Sequence, residues 1–271
     1  MSDDYGTRFG GLARLYGQEG AARLRRAHVM VIGVGGVGSW VAEALARSGV
    51  GALSLVDLDD VCLTNTNRQL HALSATVGRP KIDAMAERIA AFAPECRVHR
   101  VHDFFTASNA TEVVTPGLDL VVDAIDGFRH KTALIVRCAD AAIPLVTMGG
   151  AGGRRDPTRV QVADLAESEG DRLLHRVRKE LRQKHGFSRQ GRWGLPCVFS
   201  AEPPMFPTGD GGVCTSRDEA ETLRLDCATG FGTASFLTGA FGLAAASVAV
   251  TALAEGTPPK IKGRRKPLTA G

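Results

Sequence analysis

Val29-Met30-Val31-Ile32-Gly33-Val34-Gly35-Gly36-Val37-Gly38-Ser39-Trp40 is the stretch that decides the fold. A β-branched apolar run enters a glycine-rich turn, and an alanine-rich helical pattern follows at once over 41–47. The first glycine lets the chain leave the strand sharply, the second removes a side chain where backbone must approach a phosphate, and the third lets helix and strand pack closely. Free N–H groups and the positive end of the helix dipole then favour an anion. Glycine-rich turns also arise for packing alone, so context matters. A second apolar run, Ala52-Leu53-Ser54-Leu55-Val56, ends in Asp57, nineteen residues beyond Gly38. A carboxylate there can accept both ribose hydroxyls of a nucleotide, or simply cap a loop.

Working outward, residues 8–26 read as one or two opening helices, with Leu12, Leu15 and Leu24 among small and basic residues. Beyond Asp57 runs the polar segment Leu58-Asp59-Asp60-Val61-Cys62-Leu63-Thr64-Asn65-Thr66-Asn67-Arg68-Gln69. Pro80-Lys81 then opens a helix whose apolar face uses Ile82, Met85, Ile89 and Phe92, with proline at the turn that needs no N–H. Strands are expected at 97–101, 118–123 and 143–147, and a helix at 131–142. The glycine turn, Asp57 and Asp126 all follow strand C-terminal ends, where open α/β sheets bind ligands. Arg68 and Lys81 can supply the positive charge a triphosphate needs, and Asp126 can hold Mg²⁺.

The pattern changes at Gly149-Gly150-Ala151-Gly152-Gly153. A strand is expected at 158–163, a helix at 171–185 with Leu173, Leu174, Val177 and Leu181 inward, and a short buried strand at 197–200. Residues 203–212 read as a Pro/Gly-rich flap or crossing loop. The uncharged segment 229–254 is long enough to span a membrane, but its glycines, alanines and hydroxyls suit a core or subunit-interface helix better.

The 271 residues carry a net charge of +4, unevenly spread. Residues 171–192 hold eight Lys/Arg against Asp171 and Glu180, and 260–266 hold five more. That concentration points either to a polyanionic partner or to a solvated helix face. Trp193 in the basic loop suits a core edge, or stacking on a base. Six cysteines lack any C-x-x-C pair, which argues against zinc and against a dithiol motif; Cys62 and Cys197 read as core. The N-terminus shows no secretory pattern, so the cytoplasm is the expected compartment.

The glycine loop, Asp57, Thr64-Asn65-Thr66-Asn67-Arg68-Gln69, Lys81 and Asp123-Ala124-Ile125-Asp126 resemble the ubiquitin-activating-like adenylyltransferase superfamily, in order, over about 8–150. Val146-Thr147-Met148-Gly149-Gly150-Ala151-Gly152-Gly153, Cys197-Val198-Phe199-Ser200 and Asp226-Cys227-Ala228-Thr229-Gly230-Phe231-Gly232 extend the resemblance, to its tRNA threonylcarbamoyladenosine dehydratase branch, over nearly the whole chain. The resemblance implies a Rossmann-like, mostly parallel α/β sheet with helices on both faces. Residues 1–150 would form the ATP-binding adenylation domain, 151–256 a smaller α+β extension with a basic helix and a dimer helix, and 257–271 a disordered basic tail. By the same resemblance Gly33, Gly35, Gly36 and Gly38 contact ATP phosphates, Asp57 takes the ribose, and Asn65, Arg68, Gln69 and Lys81 complete the nucleotide site. Arg68, Lys81 and Asp126 are the implied catalytic residues, with Mg²⁺ on Asp126, no zinc, and a monovalent cation left open. Arg176, Lys179, Arg182, Lys184, Arg189 and Arg192 would meet tRNA. A homodimer is implied, with Arg8 or Arg14 offered to the neighbouring site. A cysteine desulfurase and its sulfur acceptor are implied partners, with Cys227 either a sulfur relay or a buried thiol. Two other activities use similar elements. A nicotinamide-dependent oxidoreductase would share the glycine loop but give no reason for Asn65, Arg68, Lys81 and Asp126 together, and a sulfur-carrier adenylyltransferase would not need the basic stretch.

Overall fold

A computed structural model describes residues 4–208, 210–215 and 231–264. Five parallel strands form its first part: β1 (His28–Ile32), β2 (Ala52–Val56), β3 (Arg97–Val101), β4 (Leu120–Asp123) and β5 (Leu145–Met148). Their spatial order is β3-β2-β1-β4-β5, so the chain reverses direction of travel between β1 and β4. A crevice opens at that switch point, outside the strand C-terminal ends.

Both faces of the sheet are covered, which is why its strands read as continuous apolar runs. Val29 and Val31 enter one core while Met30 and Ile32 enter the other. On the first face lie α1 (Asp4–Arg26), α2 (Gly38–Arg47) and α3 (Lys81–Phe92). The expected opening helices are one span bent at Gly17. The second face carries the short α4 (Ala110–Val113), α5 (Phe128–Ala141) and α6 (Arg172–Lys184).

Residues beyond 150 do not build a core of their own. β6 (Val160–Asp164) and β7 (Pro196–Ser200) extend the same sheet, β7 parallel to β5 and β6 antiparallel at the edge. The flap expected at 203–212 holds the first strand of a two-stranded hairpin, β8 (Phe206–Pro207), which pairs with β9 (Val213–Cys214) just beyond it. The last helix, α7 (Ser235–Glu255), lies against α1, α2 and the sheet. Leu237 and Phe241 are fully buried there, each burial worth about 1.5–3 kcal/mol. A Cβ on Gly242 would come 2.6 Å from the Trp40 Cβ, so the small residue sets how closely α7 and α2 approach. This is the packing of a core helix.

The tail expected to be disordered from 257 is packed as far as Arg264. Lys262 N–H donates to the Trp193 carbonyl at 2.6 Å, Ser188 N–H to the Gly263 carbonyl at 2.8 Å, and the Arg264 guanidinium binds Asp140 and the His185 carbonyl. Backbone pairing of this kind leaves no trace in composition. Residues 265–271 lie outside the described residues.

Candidate active site

The phosphate turn is locked from both sides. Gly33 has φ +88°, a region L side chains avoid, and a Cβ on Gly38 would sit 1.8 Å from the Gly33 carbonyl oxygen. Asp57, buried at the end of β2, accepts the Val34 N–H at 2.6 Å on one carboxylate oxygen and the Asp59 N–H at 2.9 Å on the other. In this structure, then, Asp57 ties the glycine turn to the second strand. Its remaining lone pairs are what a ribose could use.

Lys81 is the first residue of α3 and is buried. Its ammonium lies 2.6 Å from Asp59 and 4.0 Å from Asp57. The one sequence signal for Asp59 is that three acids occupy the four residues 57–60 ahead of a helix-opening lysine. Arg68 leans on Gly36: its Cγ and Cδ would stand 3.4 Å from a Cβ there. Its guanidinium donates to the Thr64 carbonyl at 2.8 Å and to Asn67 at 3.0 Å. Two donors fix its carbonyl, Trp40 Nε1 at 3.1 Å and Thr238 Oγ1 at 3.3 Å. Thr238 brings α7 into the crevice wall, and nothing local in the sequence marks it.

Asn65 is buried with its Oδ1 accepting the Cys62 N–H at 3.0 Å, so half of its amide serves the turn. Gln69 and His71 are buried nearby, and Gln69 Oε1 and both His71 ring nitrogens have no hydrogen-bond partner among the described residues. Burial, with the charges of Lys81 and Arg88, holds the His71 imidazole down at about 4. A neutral ring beside Lys81 adds no competing positive charge.

At the end of β4 the two aspartates differ completely. Asp123 is fully buried, receiving Lys131 Nζ at 2.8 Å, Thr147 Oγ1 at 2.6 Å and the Ile125 N–H at 3.1 Å. Lys131 is equally buried. Asp126 is exposed and has no protein partner among the described residues. A single free carboxylate beside a phosphate turn fits Mg²⁺ carried on a nucleotide, since that ion keeps waters and phosphates as most of its ligands. Among the described residues no group of three potential metal ligands exists.

Further along the crevice, Asp171 caps α6, accepting the Leu174 N–H at 2.9 Å, and also binds the Gly150 N–H at 2.9 Å and buried Arg154 at 3.2 Å. The N-terminus of α6 is thereby pinned to the end of β5. Arg176 and Lys179 are exposed on it, whereas Arg182 is half-buried with its guanidinium over the Trp193 ring at 5.2 Å. Trp193 itself is fully buried and donates from Nε1 to the Ser188 carbonyl at 3.0 Å, so it is a core residue and not a stacking platform. Lys184, the last residue of the helix, and Arg189 and Arg192 in the loop after it are exposed.

Arg8 donates to the Phe92 carbonyl at 3.4 Å, at the end of α3 away from the phosphate turn, and Arg14 lies over its own helix by Gly10 and Gly11. Cys197 is buried and its thiol raised by desolvation; Cys62 is exposed, because the turn it opens points to solvent. Cys227 lies outside the described residues.

Residues 10–270 match the ThiF family. The chain belongs to the ThiF family. Within that family it is 50% identical to the tRNA threonylcarbamoyladenosine dehydratase of Escherichia coli K12, over 92% of this chain and 94% of that protein. It is 46% identical to the protein of the same name from Haemophilus influenzae, over 90% and 92%. The crystal structure of the E. coli tRNA N6-threonylcarbamoyladenosine dehydratase in complex with ATP superposes with a TM-score of 0.83 at 45% identity, covering 94% of this chain and 97% of that one. The ThiF match runs across the sheet extension and α7, so the whole described fold is the family's.

Proposed function

We propose that this ThiF-family chain is an ATP-dependent tRNA threonylcarbamoyladenosine dehydratase. The observation that carries the reading is the near-full-length identity to proteins of that activity, one of them crystallised with ATP. A carboxylate is a poor electrophile because its leaving group would be oxide. Its oxygen attacks the α-phosphorus of ATP, pyrophosphate leaves, and the carboxyl becomes an acyl adenylate. An atom of the adjoining ureido group then closes a ring on the activated carbonyl, losing a proton and expelling AMP. The modified nucleoside has lost one water.

Ring closure is intramolecular, so holding the threonylcarbamoyl chain close to its attacking atom replaces a protein nucleophile. The backbone of Gly33, Gly35, Gly36 and Gly38 meets the phosphates at the N-terminus of α2, Asp57 takes the ribose, and Asn65 and Gln69 line the site. Arg68 and Lys81 face the charge that develops at the α-phosphate. Lys81 starts from its pair with Asp59, which the incoming triphosphate must share or displace. Asp126 holds the Mg²⁺, which offsets phosphate charge. Arg176 faces the tRNA, Lys179, Lys184, Arg189 and Arg192 approach its backbone, and the protein works in the cytoplasm. The exposed Phe236 and Leu243 of α7 suit a second copy of the chain. A cysteine desulfurase with its sulfur acceptor remains the proposed further partner.

The test is to incubate the protein with ATP, Mg²⁺ and tRNA carrying threonylcarbamoyladenosine and weigh the nucleoside. Loss of one water is expected. Lys81→Ala should be slower by about 10²–10³-fold, the usual cost of one charge-stabilising group, and Asp126→Ala should also be slowed. No mass change in the presence of bound ATP would overturn the reading.

A further inference from the structure

Phe128 opens α5 two residues beyond Asp126, at the crevice rim. The guanidinium carbon of Arg176 lies 3.9 Å from the centre of its ring, and that of Arg129 5.8 Å. Arg176 sits in the first half of α6, whose start is pinned to the end of β5 through Asp171 and Gly150. Two helices that begin at the crevice thus bring an aromatic ring and a guanidinium into contact beside the proposed Mg²⁺ carboxylate.

Arg176 is as free of ion pairs as Lys179, but unlike Lys179 it lies on an aromatic ring, and most of the other cations around it are paired or turned inward. Arg178 donates to Ser168, Lys184 pairs with Glu180 at 2.8 Å, Arg192 pairs with Glu167 at 3.2 Å, and Arg182 lies over buried Trp193. Arg176 is exposed and has no carboxylate or hydrogen-bond partner among the described residues. Its one contact of note is the ring. Contact with a ring costs a guanidinium little of its affinity for other groups: one side is covered, and the other side with its N–H edge stays open. A planar cation held in that way is what an unstacked nucleobase packs against, because every base offers a π face.

We propose that Phe128 and Arg176 form a base platform, on which an unpaired nucleobase of the tRNA anticodon loop stacks while the modified adenosine enters the crevice. This rests on the tRNA reading and deepens it. A substrate adenosine beside an anticodon must leave its own stack to bring a side chain to the ATP α-phosphate, and its neighbours lose a stacking partner at the same moment. The platform replaces that partner. Arg176 is therefore a positioning residue whose planarity matters as much as its charge, in contrast to Lys179 on the same helix.

The test is a titration of an anticodon stem–loop RNA, with a fully paired hairpin stem of equal charge as control, against the wild type and Phe128→Leu, Arg176→Ala and Arg176→Lys. Leucine fills the space of the ring without a face to stack on. Stem–loop Kd should rise about tenfold in all three variants, as expected for one lost stacking contact, while stem binding changes less than twofold. Arg176→Lys restoring full affinity, or stem and loop weakening together, would reduce Arg176 to a phosphate contact and overturn the platform. So would unchanged loop affinity in Phe128→Leu and Arg176→Ala. Dehydration of modified tRNA by the wild type is read separately, so a failed platform and a failed substrate assignment give different results.

Discussion

The crevice and the basic strip along α6 both gather charge, and they hold it in opposite ways. In the crevice Asp57, Lys81, Asp123 and Lys131 are buried, and each is committed to at least one partner within 2.8 Å. Along the strip, Lys179, Arg189, Lys260 and Lys262 are exposed and unpaired among the described residues. Buried charges cannot re-orient without losing the partners that offset their desolvation, so the crevice keeps its geometry before any ligand arrives. Exposed charges are cheap to move and are screened by salt. One region is built for a fixed transition state and the other for landing a long polyanion.

The sharpest way to break that contrast is to remove one half of the Asp123–Lys131 pair. Lys131→Met leaves a carboxylate unpaired in a dry site and should cost about 3–5 kcal/mol, seen as a fall in Tm of roughly 10 °C. Adding Asp123→Asn to it should recover most of the loss, because a neutral amide needs no counter-charge. If the single variant melted within a degree or two of the wild type, the crevice would not be a rigid region.

A smaller effect is expected from pH. His71 ionises near its ordinary value when unfolded but stays neutral down to about 4 in the folded protein, first through burial and then through Lys81 and Arg88. Protons below pH 6.5 therefore bind the unfolded chain first. The stability is intact above pH 6.5 and falls as pH drops toward 4, by at most about 3 kcal/mol. His71→Asn should flatten that part of the acid-stability curve. Parallel curves for the two proteins between pH 7 and 4.5 would mean that His71 is not held neutral.

The two regions also differ in how much of them was legible beforehand. The strand, glycine turn and Asp57 were plain, because a backbone that must turn and approach a phosphate leaves glycines at fixed spacing. Lys131 was not: a lysine at the first turns of a helix ordinarily reads as surface, and only the strand order places it over Asp123. The strands beyond residue 150 were legible, but their place in the sheet was hidden for a related reason. β7 pairs with β5 from some fifty residues away, with antiparallel β6 arriving first, and no local period encodes such a pairing. In the strip, charge count revealed the surface but not its division. Arg182 lies one turn from exposed Lys179 and next to exposed Gln183, yet its guanidinium lies over buried Trp193.

That division supports the smallest prediction. Arg176 stands by the crevice, while Arg189 and Arg192 lie in the loop that follows the far end of the helix, an end roughly 12 Å along the axis from Arg176 at 1.5 Å per residue. There the described part of the tail joins them: Lys262 N–H donates to the Trp193 carbonyl at 2.6 Å, so Lys260 and Lys262 share the surface of that loop. Arg189→Gln should weaken tRNA binding only a few-fold and lower the salt dependence of log Kd by about one, with the KM for ATP unchanged. Arg192→Gln should do less, since Glu167 already takes part of that charge at 3.2 Å. The order matters more than either size. Equal losses would mean that the strip answers only to net charge, and a larger loss for Arg192 would mean that Glu167 releases it to bind RNA, making the strip a region of partners exchanged on binding.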